Sequence, residues 1–72
     1  MEFTKEQIKQ MRMIEYINEC HEHVLYGEEL SDRQISNLEK YLDELDPIII
    51  SEELGDCYEY WADMCEEILC SL

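Results

Sequence analysis

Apolar residues in the last third of the chain recur at intervals of three and four, which is the spacing of one helix face. They are Leu54, Cys57, Tyr58, Trp61, Met64, Cys65, Ile68 and Leu72. No stretch alternates apolar and polar residues as a half-buried strand would, and the chain has only two glycines and one proline. The pattern therefore predicts an all-α fold.

The first part of the chain shows the same periodicity behind a helix start signal. Thr4 and Gln7 have the spacing of a capping box, and Gly27 suits the left-handed residue that ends a helix. These signals predict a helix over residues 5 to about 26. Its apolar face is expected to consist of Met11, Ile14, Ile17, His21, Val24 and Leu25.

A second start signal, Ser31 with Gln34, predicts a helix over residues 32 to about 45. Asp46-Pro47 either ends this helix or opens another, because aspartate suits an N-cap and proline suits the first helical position. The apolar face of this helix comprises Ile35, Leu38, Tyr41, Leu42 and Leu45.

The remaining chain predicts a C-terminal helical segment over residues 47 to about 71, which Gly55 can break. In that case Asp56 would cap a final helix that starts at Cys57. Residues 48–54 would then form a short helix of their own. The expected fold class is a small all-α bundle of three helices, or four if this short helix is separate.

With 72 residues, the chain has room for one small domain, residues 1–72. Its 46% apolar content argues against disorder, despite 19 acidic residues against 5 basic ones and a net charge of −14. No apolar run approaches the roughly 20 residues of a membrane span, and the N-terminus lacks the pattern of a secretory signal. We therefore expect a cytoplasmic protein that does not contact membranes.

The negative charge is concentrated in the second half of the chain. Residues 1–18 hold three acidic and three basic residues, whereas residues 41–72 hold ten acidic residues and no basic one. Like charges at this density repel one another and oppose folding. A helix selected for stability alone would carry lysines as partners at i,i+4 spacing. The absence of such partners favours a functional role for the acids over solubility alone.

Many of these acids fall on the helix side opposite Trp61. The stripe comprises Glu52, Glu53, Asp56, Glu59, Asp63, Glu66 and Glu67. If residues 52–67 are one helix, they span about 24 Å and carry one carboxylate per about 3.4 Å. One strand of DNA carries a phosphate per about 3.4 Å of axis, so the stripe has a similar charge density.

Residues that could carry chemistry are present, but not in a specific pattern. Cys20 and His23 are three residues apart, and Cys57 and Cys65 could join them around a zinc ion. However, two closely spaced cysteine pairs, the usual zinc signal, are absent from the sequence, as is a glycine-rich phosphate loop. We therefore expect free cysteines, three of which lie in helical apolar patterns as small apolar residues, and no metal, no cofactor and no catalysis.

The tyrosines are divided between core and surface. Tyr41 and Tyr58 lie on apolar faces and are expected to pack in the core with their hydroxyls at its rim. Tyr16 and Tyr60 lie at the margins of their apolar faces, where tyrosines often contribute to protein interfaces. These two are therefore candidate partner-binding residues.

Together these features predict a small, acidic, non-catalytic inhibitor. Its acidic stripe would bind the basic nucleic-acid-binding surface of a partner protein in place of DNA or RNA. Phage- or plasmid-encoded inhibitors of defence or transcription are of this physical type. The chain itself should not bind nucleic acid, because its net charge repels phosphates.

The alternative is a helical regulatory or adaptor protein, such as an anti-sigma-like factor or a subunit of a complex. It would dock through an apolar groove, and its acids would serve solubility. A homodimer is compatible with either function, because a chain this short buries a small core by itself.

Overall fold

The structure, a computed structural model, describes residues 2–72. It contains three α-helices, α1 (Lys5–Leu25), α2 (Asp32–Glu44) and α3 (Tyr58–Cys70). A short π-helical segment, Ile49–Glu53, lies between α2 and α3, and residues 2–72 include no strand. The expected all-α bundle is confirmed, and residues 48–54 do contain a helical segment separate from the final helix.

Both predicted capping boxes form and fix where α1 and α2 begin. The Thr4 hydroxyl accepts a hydrogen bond from the backbone amide of Gln7 at 3.1 Å. The Gln7 side-chain oxygen accepts one from the backbone amide of Thr4 at 2.9 Å. Ser31 and Gln34 make the same two bonds at 3.2 and 2.8 Å. Gly27 follows α1 with a φ of 76°, as the sequence predicted for the residue that ends this helix.

Asp46 caps the short helical stretch that opens at Pro47 and continues as the π-helical segment. Its Oδ1 accepts the amides of Ile48 and Ile49 at 2.9 and 3.1 Å, while Pro47 occupies the first helical position. The Leu54 amide then donates to the Ile49 carbonyl at 2.9 Å, the five-residue step of a π-helix. Asp46-Pro47 therefore opens a new element, one of the two possibilities that the sequence allowed.

The core is formed where α3 packs against α1 and α2, and where the π-helical segment packs against α1. Each of the four elements contributes a residue with 2% or less of its surface exposed: Ile17, Leu38, Ile50 and Ile68, respectively. The buried apolar residues are Met13, Ile14, Ile17, Cys20, Leu38, Leu45, Ile50, Met64, Cys65 and Ile68. Burial of this apolar surface is the main favourable contribution to folding.

Gln10 is a buried polar residue on the side of α1 that also carries Ile14 and Ile17. Its Nε2 donates to the Glu44 carbonyl at 3.1 Å, and its Oε1 accepts the Asp46 amide at 3.0 Å. The carbonyls at the end of an α-helix have no partner within the helix. Gln10 therefore supplies a partner to the end of α2 and joins α1 to the turn that precedes the π-helical segment.

Three predicted core positions are wrong. Leu25 and Leu72 are 68% and 60% exposed, and Cys57 is also exposed. All three lie at or beyond helix ends, where the chain leaves the bundle and no element packs over them. Trp61 is half-buried and packs against the core, as do Tyr41 and Tyr58.

Candidate functional site

The seven acidic residues of the predicted stripe are all exposed, and we refer to them as the acidic face. They are Glu52, Glu53, Asp56, Glu59, Asp63, Glu66 and Glu67. Within residues 2–72 the salt bridges join Lys9 to Glu44 and His23 to Glu28, so no cation pairs with the acidic face. Its carboxylates are therefore open to solvent and to a partner.

Packing of α3 sets the direction of four of these side chains. Met64, Cys65 and Ile68 are buried toward α1 and α2, so the opposite side of α3 points away from the bundle. That outer side carries Glu59, Asp63, Glu66 and Glu67, all of them exposed. Four carboxylates within about 12 Å of helix give one per about 3 Å, close to the phosphate spacing of a single nucleic-acid strand.

The acidic face is not one continuous helix, because the break at Gly55 that the sequence allowed is present. Glu52 and Glu53 belong to the π-helical segment, and a turn at Gly55, with φ of 67°, separates them from α3. Glycine adopts this left-handed conformation without the steric cost that a side chain adds. The spacing of one carboxylate per about 3.4 Å, calculated for residues 52–67 as a single helix, therefore does not hold across the turn. A helical charge spacing applies only to the carboxylates of α3.

Asp56 does not cap α3. Cys57 occupies the N-cap position without a side-chain hydrogen bond, and Asp56 Oδ1 instead accepts the Cys57 amide at 2.8 Å. The prediction that Asp56 caps the final helix is wrong by one residue, since the turn at Gly55 extends through Cys57. Asp56 remains exposed between the two helical parts of the acidic face.

A hydrogen bond from a neutral side chain joins one residue of the acidic face, Glu53, to α1. Gln7 Nε2 donates to Glu53 Oε1 at 2.9 Å, which links the start of α1 to the π-helical segment. Gln7 also forms the capping box of α1, so its side chain is fixed from both sides. The bond orients Glu53 without neutralising its charge.

The two candidate interface tyrosines differ in their surroundings. Tyr60 is 54% exposed at the margin of the acidic face, and its ring stands edge-on against Trp61 with centroids 4.9 Å apart. Tyr16 instead packs between α1 and α2, edge-on to Tyr41 at 5.3 Å, and its hydroxyl accepts Asn37 Nδ2 at 3.1 Å. The structure thus places Tyr60 beside the acidic face and Tyr16 within a helix–helix contact.

A second charged surface lies between α1 and α2 and was not identified from the sequence. Four of the five basic residues line one groove of about 380 Å³, which we call the basic groove: Lys5, Lys9, Arg12 and Lys40. Lys9 Nζ binds Glu44 there at 3.1 Å. The i, i+4, i+7 spacing of the three α1 cations was a visible signal, but only the fold brings Lys40 to them.

The cysteines separate into two buried and two exposed thiols. Cys20 and Cys65 lie in the core, whereas Cys57 and Cys70 are exposed. Burial is the main cause that raises the pKa of the Cys65 thiol to about 11, and Cys20 and Glu66 add to it. Its Sγ donates to the Leu38 carbonyl at 3.3 Å. Burial, with a smaller contribution from Glu19, also raises the pKa of the Cys20 thiol, so the two buried thiols are protonated near neutral pH and are poor nucleophiles and metal ligands in that form.

The four hypothetical zinc ligands are not brought together as one group, although Cys20 and Cys65 both lie in the core. Cys20 and Cys65 are buried, Cys57 is exposed before α3, and His23 contacts Glu28 at the surface. Across residues 2–72, no three His, Cys, Asp or Glu side chains form a group that could hold a metal ion.

An apolar cleft of about 260 Å³ separates the start of α1 from the turn after the π-helical segment. Phe3, Met11, Ile14 and Leu54 form its apolar lining, and carboxylates lie at its border.

Within the part of the chain that the structure describes, no helix has both the length and the apolar content to cross a membrane. The chain matches no protein-family model, no curated protein and no solved structure.

Proposed function

We propose that the protein is a non-catalytic inhibitor whose acidic face occupies the basic, nucleic-acid-binding surface of a partner protein. The observation that carries this proposal is that seven exposed carboxylates have no cation partner in residues 2–72. Unpaired carboxylates gain a favourable interaction only when a partner brings the positive charge. They also attract a basic partner from a distance and so raise the association rate.

The arrangement on α3 supports this function further. The outer carboxylates of α3 approximate the linear charge density of one nucleic-acid strand. Because α3 is anchored by its buried side, these charges are held on a rigid element and need little ordering upon binding. Tyr60 at the margin adds an exposed aromatic ring of the kind that is enriched at interfaces.

The test is displacement of proteins from immobilised nucleic acid. Lysate of the organism that encodes the chain is bound to DNA-cellulose or RNA-cellulose and then washed with the purified protein. We expect wild type to release a specific basic protein, and we expect this release to weaken strongly between about 50 and 200 mM salt. The triple variant Glu59→Lys, Asp63→Lys, Glu66→Lys should release at least about tenfold less.

The chain contains a matched control for this variant. Glu15, Glu19 and Glu22 on α1 are also exposed and have the same spacing of four and three residues. Their reversal to lysine changes the net charge by the same amount at a different surface and should preserve release. Equal losses from both variants, or no release by wild type from either matrix, would contradict the proposal.

The apolar cleft supports a second candidate, a regulatory or adaptor protein that docks a partner between Phe3 and Leu54. Phe3 is 49% exposed beside Met11, and an exposed apolar cleft of this kind is a common docking surface. Partner capture that persists in high salt and is lost in Phe3→Ala, but not in the triple variant of α3, would favour this function.

A further inference from the structure

We propose that the basic groove binds the acidic face of a second copy of this chain, so that the protein associates head-to-tail. This inference does not depend on the proposed function. Its starting point is the separation of charge within one molecule, where four of the five cations line one groove and seven unpaired carboxylates lie elsewhere.

The basic groove and the outer carboxylates of α3 do not meet within one molecule. The basic groove lies between α1 and α2, whereas the outer side of α3 points away from both of these helices. Accordingly, no salt bridge within residues 2–72 joins a groove cation to an α3 carboxylate. Only another molecule can bring carboxylates of this type into the groove.

The charges on the two surfaces also have the same spacing. Lys5, Lys9 and Arg12 are separated by four and then three residues, and so are Glu59, Asp63 and Glu66. On an α-helix these steps are about 6 and 4.5 Å long. Two such helices aligned in parallel therefore bring three opposite charges into register, which is the reason to choose a second copy as the occupant.

The side chains of the groove permit this contact. Lys9 already binds Glu44, but its ammonium has three donors and its side chain is 49% exposed, so it can also donate to a second carboxylate. Lys40 adds a cation from α2 across the groove. Ile8 is 39% exposed in the groove and offers an apolar surface to Tyr60, which borders the α3 carboxylates.

The geometry and the net charge predict how association depends on conditions. Because the groove and the acidic face are different surfaces, the contact leaves one of each free and supports chains longer than a dimer. Two molecules of charge −14 repel one another at low salt. Association should therefore be strongest near 0.15 M salt, where the screening length is about 8 Å, and should weaken again near 1 M.

Sedimentation of the purified protein over a range of concentrations tests the proposal, with two charge-reversed variants. Lys5→Glu, Arg12→Glu reverses the groove, and Glu59→Lys, Glu66→Lys reverses the acidic face at the same seven-residue separation. Each variant alone places like charges opposite one another and should raise the dissociation constant about tenfold or more. A mixture of the two should associate again, because the reversed surfaces are complementary. Circular dichroism checks that each variant is helical.

A wild-type protein that remains monomeric up to its solubility limit would overturn the proposal, as would a mixture of variants that fails to associate. A mass that stops at the dimer would also overturn it, since that result indicates a symmetric contact. The outcome is separable from that of the displacement assay. The groove variant should still release nucleic-acid-binding proteins, because its acidic face is unchanged.

Discussion

Helices α1 and α3 are stabilised in different ways. The 21 residues of α1 begin with a complete capping box, are followed by a left-handed glycine, and carry cations as well as acids on their exposed side. The 13 residues of α3 have no side-chain hydrogen bond at the N-cap, no basic residue in the last turn, and only acidic charges, although the Ser71 hydroxyl donates to the Glu67 carbonyl at the other end. The stability of α3 must therefore come from the side that it buries.

This difference separates the structural side of α3 from its outer side. Glu67 lies in the last turn, where a negative charge opposes the helix dipole, and Glu66 is adjacent. Neither has a cation partner in the described chain. Glu66 and Glu67 thus contribute nothing identifiable to the stability of α3, whereas Glu59 in its first turn interacts favourably with the helix dipole.

The largest expected effect comes from the buried side of α3. Ile68→Ala removes a side chain that is 2% exposed and should lower the free energy of unfolding by about 2–5 kcal/mol, measured by urea denaturation. Ile48→Ala is the matched control, since Ile48 is 61% exposed and its truncation should change stability by less than about 0.5 kcal/mol. Similar losses of free energy of unfolding in both variants would show that the buried side of α3 is not the main source of its stability.

A pH titration sharpens the comparison at the contact between α3 and α2. The Cys65 thiol has a pKa of about 11 in the folded protein against an ordinary value of 9.0. Between these values the unfolded chain releases the proton while the folded chain retains it, so stability falls as pH rises. The complete loss amounts to about 3 kcal/mol.

Urea denaturation at several pH values from about 8 to 11 measures this loss. Cys65→Ala should remove most of the fall attributable to the thiol, while Cys57→Ala, which removes an exposed thiol, should leave it unchanged. If the free energy of unfolding falls as steeply with pH in Cys65→Ala as in wild type, the loss of stability comes from other titratable groups.

The smallest effects concern the helix starts. Ser31→Ala removes the capping bond of α2 and should lower the free energy of unfolding by about 1 kcal/mol. Cys57→Ser provides α3 with the cap that it lacks and should raise stability by about 0.5–1 kcal/mol, because Cys57 already has the extended backbone of an N-cap. Thermal melts of both variants measure these shifts, and two changes of the same sign would contradict the difference between the helices.

Much of the fold follows from the sequence because its signals are local. The pairs Thr4–Gln7 and Ser31–Gln34 predict where α1 and α2 begin, since a capping box involves only four consecutive residues. The helical spacing on α3 likewise predicts that Met64, Cys65 and Ile68 are buried. These interactions form within one element and its apolar side, so no knowledge of the chain path is needed.

The remaining features depend on contacts between distant elements. Gln10 is in helical register with Ile14 and Ile17, but the end of α2 that it contacts is needed to explain why a polar side chain is buried there. Lys40 joins Lys5, Lys9 and Arg12 only because α2 packs beside α1. The acidic residues were identified individually, but their division by the turn at Gly55 requires the backbone geometry.

The hydrogen bonds of Gln10 have a consequence for how the molecule assembles. Its partners, the Glu44 carbonyl and the Asp46 amide, are 34 and 36 residues away along the chain. A partly folded chain that buries Gln10 before these groups arrive would leave its amide unsatisfied, at a cost of about 1–3 kcal/mol. Helix α1 and the turn after α2 therefore reach their native positions together, which favours a single cooperative folding transition over stepwise docking of α1.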